Sequence, residues 1–231
     1  MKVLAIDSSN YCMGVSIMVD GTVVGELITN IKKNHSVRLM PAIEQLLEEV
    51  QVKPADLDRI VVAKGPGSYT GLRIGISIAK TLAWTLSKPL VGVSSLEVLA
   101  QNGRYFSGAI VPFFDARRGQ VYMSVYKANG IEVERETEDQ IVLFEEWLQE
   151  NKDRYERFLF ISGDLTMHKE GIEAILGDKA VFAPSSSLNA RPADLARLGA
   201  SHEPVEDVHQ FTPNYVRMAE AEAKWLASQK K

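Results

Sequence analysis

A single cysteine among 231 residues leaves no internal disulfide to be formed, so the core must hold the fold, and a reducing compartment fits. Cys12 sits in an apolar, strand-like run, where a thiol reads as a small buried hydrophobe rather than a reactive group. Long hydrophobic runs are missing as well. No stretch reaches the roughly 18 apolar residues of a membrane span, and the run 3–6 behind Met1-Lys2 is too short for a signal h-region. A cytoplasmic protein without membrane contact is the expectation. Nor is there a basic excess: 26 Lys and Arg against 30 Asp and Glu give a formal net charge of −4. Free-standing nucleic-acid binding is dominated by phosphate neutralisation, so any RNA partner must be gripped mostly by another chain. Metal ligands are scarce. His35, His168, His202 and His209 form no H-x-x-x-H or H-E-x-x-H and have no cysteine pair nearby, so each reads as a surface or capping group. A G-x-S-x-G nucleophile elbow is absent.

What is present is an ordinary globular composition, 45% hydrophobic and 24% charged. The length suits one large domain or two lobes of about 100 residues each. Apolar runs predict strands at 3–6, 14–19 and, across an Asp20-Gly21 hairpin signal, 22–29. Residues 36–50 predict an amphipathic helix, with Val37, Met40, Ile43, Leu47 and Val50 opposite Glu44, Gln45, Glu48 and Glu49. Pro41 kinks its first turn or delays its start. A buried strand at 59–63, a glycine-rich turn at 65–71, a helix at 72–86, a strand at 90–93 and a helix at 96–101 follow. Beyond a boundary near Gly103, strands are predicted at 109–114, 120–126 and 158–162, and helices at 144–151, 167–176, 192–200 and 219–228. There is no internal repeat by identity. This order predicts a two-lobed α/β fold of the actin and sugar-kinase kind, each lobe a mixed sheet covered by helices. The lobes are assigned to 1–102 and 103–211, with a C-terminal helix within 212–231 packing back on the first.

Two turns carry the candidate chemistry. Asp7-Ser8-Ser9 ends the first strand where actin-like phosphotransferases need a glycine so that backbone amides can close on a phosphate; here it reads either as a weakened ligand turn or as a capped strand end. Gly65, Gly67, Ser68, Thr70 and Gly71 stand between a buried strand and a helix, a place that favours an anion. The turn is neither a Walker A loop, since Leu72-Arg73 stands where Lys-Ser/Thr would, nor a G-x-G-x-x-G. Without a ligand it is a tight turn in which Ser68 and Thr70 cap the helix. The loop 115–122, DARRGQVY, is either an anion site or a hydrogen-bonded turn, and Ser162-Gly163-Asp164 reads as a helix cap. The helix 72–86 is apolar on nearly every side, so it lies centrally or meets another subunit.

Together these segments resemble one family. Residues 3–9 (VLAIDSS), His35-Ser36, Leu39-Met40-Pro41, residues 65–75 (GPGSYTGLRIG), DARRGQVY and Pro213-Asn214-Tyr215-Val216-Arg217 are similar to the TsaB family, formerly YeaZ, over residues 1 to about 217. The resemblance implies an actin-like (ASKHA, ribonuclease H-like) fold and no cofactor. It also implies a non-catalytic role beside a TsaD-like catalytic subunit and a TsaE-like ATPase, in transferring threonylcarbamoyl to N6 of adenosine 37 in tRNAs reading ANN codons, with tRNA met only through the complex. It places the partner interface on the helices 36–50 and 72–86, with His35, Leu39, Ile43, Leu46, Leu72, Ile74 and Ile78 as its residues. A second copy of this chain is the occupant when TsaD is absent. TsaD carries a metal-binding H-x-x-x-H after the strand here at 90–93, where this chain has Ser95 and Leu99, neither a competent ligand. The alternatives are a stand-alone actin-like kinase or ATPase, or an inactive metallopeptidase-like relative.

The missing ligand set generates a first prediction. Elemental analysis of the untagged protein should find iron and zinc well below one atom per chain; one tightly held metal per chain would restore the enzyme alternatives.

Overall fold

The computed structural model describes residues 1–31 and 33–216. The first half runs β1 (Lys2–Asp7), β2 (Cys12–Val19), β3 (Thr22–Asn30), α1 (Leu39–Glu49), β4 (Arg59–Gly65), α2 (Tyr69–Leu86), β5 (Leu90–Ser94) and α3 (Ser95–Ala100). The second half runs β6 (Ala109–Asp115), β7 (Gln120–Met123), a hairpin β8 (Tyr126–Asn129) and β9 (Glu132–Arg135), then β10 (Gln140–Leu143), α4 (Phe144–Asn151), β11 (Phe158–Ile161), α5 (Leu165–Leu176), β12 (Ala180–Phe182) and α6 (Pro192–Ser201). The sheets are ordered β3-β2-β1-β4-β5 and β10-β7-β6-β11-β12, with β8 and β9 attached beside β6. In both, the first strand pairs antiparallel with the second and parallel with the strand that follows the first helix. The repeat invisible as sequence identity is therefore present as topology. This is the two-lobed actin-like fold.

Local chemistry explains most elements. Leu4 and Ile6 of β1 and Ile60 and Val62 of β4 enter one core layer, while Val3, Ala5, Val61 and Ala63 enter another, because helices cover both faces. Asp20 and Gly21 take positive φ values of 47° and 81°, the conformation a two-residue hairpin demands. Pro41 lies in the first turn of α1, where its missing N–H leaves no helical bond unmade, and the helix starts at Leu39 after a short turn at His35–Val37. Its buried face is Leu39, Ala42, Ile43, Leu46 and Leu47, so Val37 and Met40 do not belong to the core stripe expected of them: they are 70% and 41% exposed. The expected strand 120–126 is broken at Ser124, whose hydroxyl turns to Thr137. The β8–β9 hairpin was not anticipated, although Asn129-Gly130 is a turn signal.

The lobe assignment needs a correction. α3 follows the first sheet in sequence, yet Leu96, Leu99 and Ala100 join Ile110, Tyr126 and Leu159 in the core of the second. Conversely α6, expected in the second lobe, buries Leu195, Ala196 and Leu198 against Val3, Val61 and Val91 of the first sheet. α6 thus crosses to the first lobe, while α3 bridges the two, its Val98 entering the first core and Leu96, Leu99 and Ala100 the second. Ser16 Oγ donates to the Pro192 carbonyl at 2.6 Å, and one Arg59 nitrogen donates to the carbonyls of Gly199, Ala200 and His202 at the end of α6. The chain then straps the first lobe: Val205 N–H bonds the Leu90 carbonyl, Lys80 bonds the carbonyls of His209 and Phe211, and Asn214 N–H bonds that of Lys64. Residues 212–216 contain no helix, and the expected helix 219–228 lies outside the described residues.

A polar clasp joins the lobes beside α3. Ser94, the N-cap of α3, donates its hydroxyl to Asp139 Oδ2 at 2.7 Å, and Arg135 lies 3.5 Å from both Glu97 and Asp139. Burial raises the Asp139 pKa, against the Ser94 hydroxyl and the Arg135 charge. His202 places Nε2 3.3 Å from Glu97 and Nδ1 2.7 Å from the Leu198 carbonyl. Both partners are acceptors, so this setting favours the protonated ring, which can donate from both nitrogens.

The hydrogen bond to Glu97 raises the His202 pKa above its ordinary 6.5. Burial pushes Glu97 upward, but the His202 hydrogen bond and the charges of His202 and Arg135 outweigh it and leave Glu97 below its ordinary 4.5. The His202 contribution is therefore complete below pH 6.5 and lost as pH rises through its raised value. The Glu97 contribution is complete above pH 4.5 and lost as pH falls through its lowered value. Thermal melts should show Tm falling as pH rises from about 6 to about 8.5, with a shallower fall in His202→Gln. Equal slopes would show that the clasp does not hold the charge described.

Candidate functional site

The turn that ends β1 and the head of α2 form one joint. Ser8 Oγ donates to the Gly71 carbonyl at 2.8 Å, the Ser68 amide donates to the Ser9 carbonyl at 2.6 Å, and Ser68 Oγ accepts from the Gly71 amide at 3.3 Å. A Cβ on Gly67 or Gly71 would collide with the carbonyl oxygens of Ser9 or Ser8, and one on Gly75 with the Ser8 hydroxyl. These glycines bring backbone against backbone. Two amides that an anion would use at the head of α2 thus already have partners inside the chain. Asp7, buried behind the joint, accepts from the Ser9 amide at 2.9 Å; burial raises its pKa against that bond and the nearby His35.

A cleft of about 990 Å³ opens between this joint and the second lobe, lined by Tyr11, Lys33, His35 and residues 68–72 on one side and Phe114 to Arg117, Tyr122 and Asp164 on the other. By topology, the turn after β6 is the counterpart of the turn after β1. It is a hydrogen-bonded turn: Ala116 N–H bonds the Gln120 carbonyl at 2.9 Å, Gln120 N–H the Arg117 carbonyl at 3.0 Å, and Arg117 N–H Asp115 Oδ2 at 3.1 Å. Arg117, Arg118 and Gly119 have consecutive positive φ values of 66°, 56° and 73°. For the two arginines this conformation costs about 1 kcal/mol or more each. Asp115 also meets His168 Nε2 at 3.0 Å, and Asp164 Oδ2 accepts the Asp115 amide at 3.1 Å. At the cleft mouth the Arg73 guanidinium lies 4.1 Å from the Tyr69 ring centre and donates to Tyr215 Oη at 2.9 Å.

His35 Nε2 lies 2.7 Å from the Asn10 carbonyl and so carries the hydrogen. Burial, with Asp7 and Glu26 nearby, pushes the half-buried Cys12 thiol up to about 12. Among the described residues no three His, Cys, Asp or Glu side chains gather as metal ligands. Ser95 Oγ accepts from the Gly65 amide at 3.2 Å and Leu99 is fully buried.

A family model described as TsaD, tRNA N6-adenosine threonylcarbamoyltransferase, matches residues 22–225. The tRNA threonylcarbamoyladenosine biosynthesis protein TsaB of Bacillus subtilis (strain 168) is 51% identical over 230 residues, covering 100% of both chains. The chain belongs to the TsaB family. The Escherichia coli (strain K12) TsaB is 36% identical over 142 residues, 60% of this chain and 61% of that protein. Among solved structures, YeaZ from Pseudomonas aeruginosa superposes with a TM-score of 0.76 at 24% identity, covering 93% of this chain and 99% of that one, which speaks for the fold.

Against the interface that the family resemblance implies, the side chains divide. Leu39, Ile43, Leu46 and Leu72 are core residues, 0 to 7% exposed, and offer no surface to a partner. They are buried because α1 and α2 need those positions to cover the first sheet. His35 lines the cleft. Ile74 and Ile78 are half-buried at the edge of the core layer. The surface that sequence reasoning missed on these helices is Val37, Met40, Tyr69 and Trp84, of which Trp84 is 66% exposed. Their exposure follows from which stripe the sheet takes, and periodicity alone does not tell the two stripes of an all-round apolar helix apart.

The joint generates the third prediction. Gly71→Ala should cost about 2 kcal/mol or more, a drop of roughly 4–8 °C in Tm. Gly163→Ala, whose nearest atom would be Asn189 Oδ1 at 3.7 Å, is the control and should melt near the wild type. Unchanged melting of Gly71→Ala would show the contact to be loose.

Proposed function

We propose that the chain is a non-catalytic subunit for tRNA threonylcarbamoyladenosine biosynthesis, acting in the cytoplasm by scaffolding and activating a TsaD-like catalytic subunit alongside a TsaE-like ATPase. The full-length identity of 51% to the Bacillus subtilis TsaB carries this reading. Three features support a role as partner rather than as enzyme. Two amides at the head of α2, those of Ser68 and Gly71, are engaged by Ser9 and Ser68 and so are not open to an anion. By the family resemblance, Ser95 and Leu99 stand where TsaD has its metal-binding histidines. α1 and α2 leave apolar side chains in solvent, as association surfaces do. No helix among the described residues is long and apolar enough to cross a membrane.

The docking face in this reading is the outer side of α1 and α2, with Met40, Ile74 and Ile78 at its centre and Val37 at its edge, and it serves for self-pairing when TsaD is absent. Met40→Glu should leave the isolated chain folded, since Met40 is 41% exposed, yet place a desolvated charge in the complex and cost several kcal/mol of association. Ile78→Glu should do the same with some loss of stability, because Ile78 also touches the core. Co-elution with TsaD and tRNA modification in a reconstituted assay should both disappear. Normal binding by both folded variants would move the interface elsewhere.

A further inference from the structure

The chain is acidic in sum but not at its cleft. Among the described lining residues Lys33, His35 and Arg117 are basic, and Asp115 and Asp164 are acidic. Both carboxylates are turned into the second lobe's own bonds, Asp115 to His168 and the Arg117 amide, Asp164 to the Asp115 amide. Lys33, Arg117 and Arg118 are exposed. Lys33 belongs to the loop after β3 and the arginines to the turn after β6, so positive charge reaches the cleft from both lobes. Tyr11, 62% exposed, presents an aromatic ring beside them.

We propose that this rim contacts an RNA loop directly, with Lys33 and Arg117 neutralising phosphates and Tyr11 stacking on an unpaired base. The inference rests on the function proposed above for the source of the RNA, and goes beyond it by giving this chain its own RNA contact. RNA is favoured over an acidic peptide because the cations are interleaved with an exposed ring, and stacking plus phosphate neutralisation is how single-stranded loops are held. A free nucleotide is disfavoured because the Ser68 amide is already bound to Ser9. Two consecutive arginines in the left-handed region are also costly for a simple turn, since glycine adopts that conformation freely.

The test uses the full chain and a fluorescein-labelled RNA hairpin with a single-stranded loop, followed by anisotropy at low salt. Lys33→Glu and Arg117→Glu should each weaken binding about tenfold and lower the salt slope by about one. Arg117→Gly should weaken binding while melting no lower than the wild type, because glycine tolerates that backbone. Absence of hairpin binding by the wild type, equal binding by the folded variants, or displacement of the hairpin by an equal concentration of a poly-glutamate peptide or ATP would overturn the proposal. A second arm measures KM for tRNA in the reconstituted modification assay. If the wild type supports modification and Arg117→Glu leaves that KM unchanged, this inference falls and the function stands. If the wild type supports no modification but the variants lose the hairpin, the function falls and the RNA contact stands.

Discussion

The carbonyls of Ser8 and Ser9 lie against the first turn of α2, and the architecture of the first lobe depends on that contact being backbone to backbone. It sets how deeply α2 enters between the end of β1 and the sheet, and hence which stripe of α2 is core and which meets solvent. It also forms the floor of the cleft, so one packing requirement governs both the shape of the site and its chemistry. In a phosphate-binding relative of this fold the same place would hold amides open to a ligand. Here the Ser68 and Gly71 amides are used internally, which turns a nest for anions into a structural joint.

The second constraint is the crossing of third helices between lobes, α3 by one face and α6 wholly. α3 completes the core of the second lobe and α6 that of the first, so neither sheet is covered on both faces without its neighbour. The apolar cores alone would leave the angle between lobes weakly specified. The Ser94–Asp139, Arg135–Glu97 and Glu97–His202 contacts add direction at the boundary, as hydrogen-bonded ionic groups do when partly desolvated. The strap from Val205 to Asn214 closes the free edge of β5 and ends at the cleft mouth, where Tyr215 joins Arg73 and Tyr69.

Much of this was legible beforehand. Central strands with buried residues on both faces read as continuous apolar runs, and the Asp20-Gly21 hairpin, the Pro41 start of α1 and the Ser68 cap each follow from a local rule. Short strands were not legible: β10 and β12 have four and three residues and no distinguishing pattern. The site was half-visible. Asp7, Ser8, Ser9 and residues 65–71 stood out as two turns, but that they meet, and what their amides bind, turned on distances. Lys33 and Tyr11 carried no signal, because an isolated surface lysine and tyrosine look alike anywhere in a sequence.

The sequence by itself determined the elements, their order and the family, since these depend on local periodicity, turn chemistry and motifs such as GPGSYTGLRIG. Tertiary structure decided which face of α2 is covered, which lobe α6 completes and where basic side chains offset the net charge of −4 locally. Those outcomes are set by contacts between residues far apart in the chain, such as Ser9 with Ser68 or Arg59 with His202, and no local pattern encodes the distance between them.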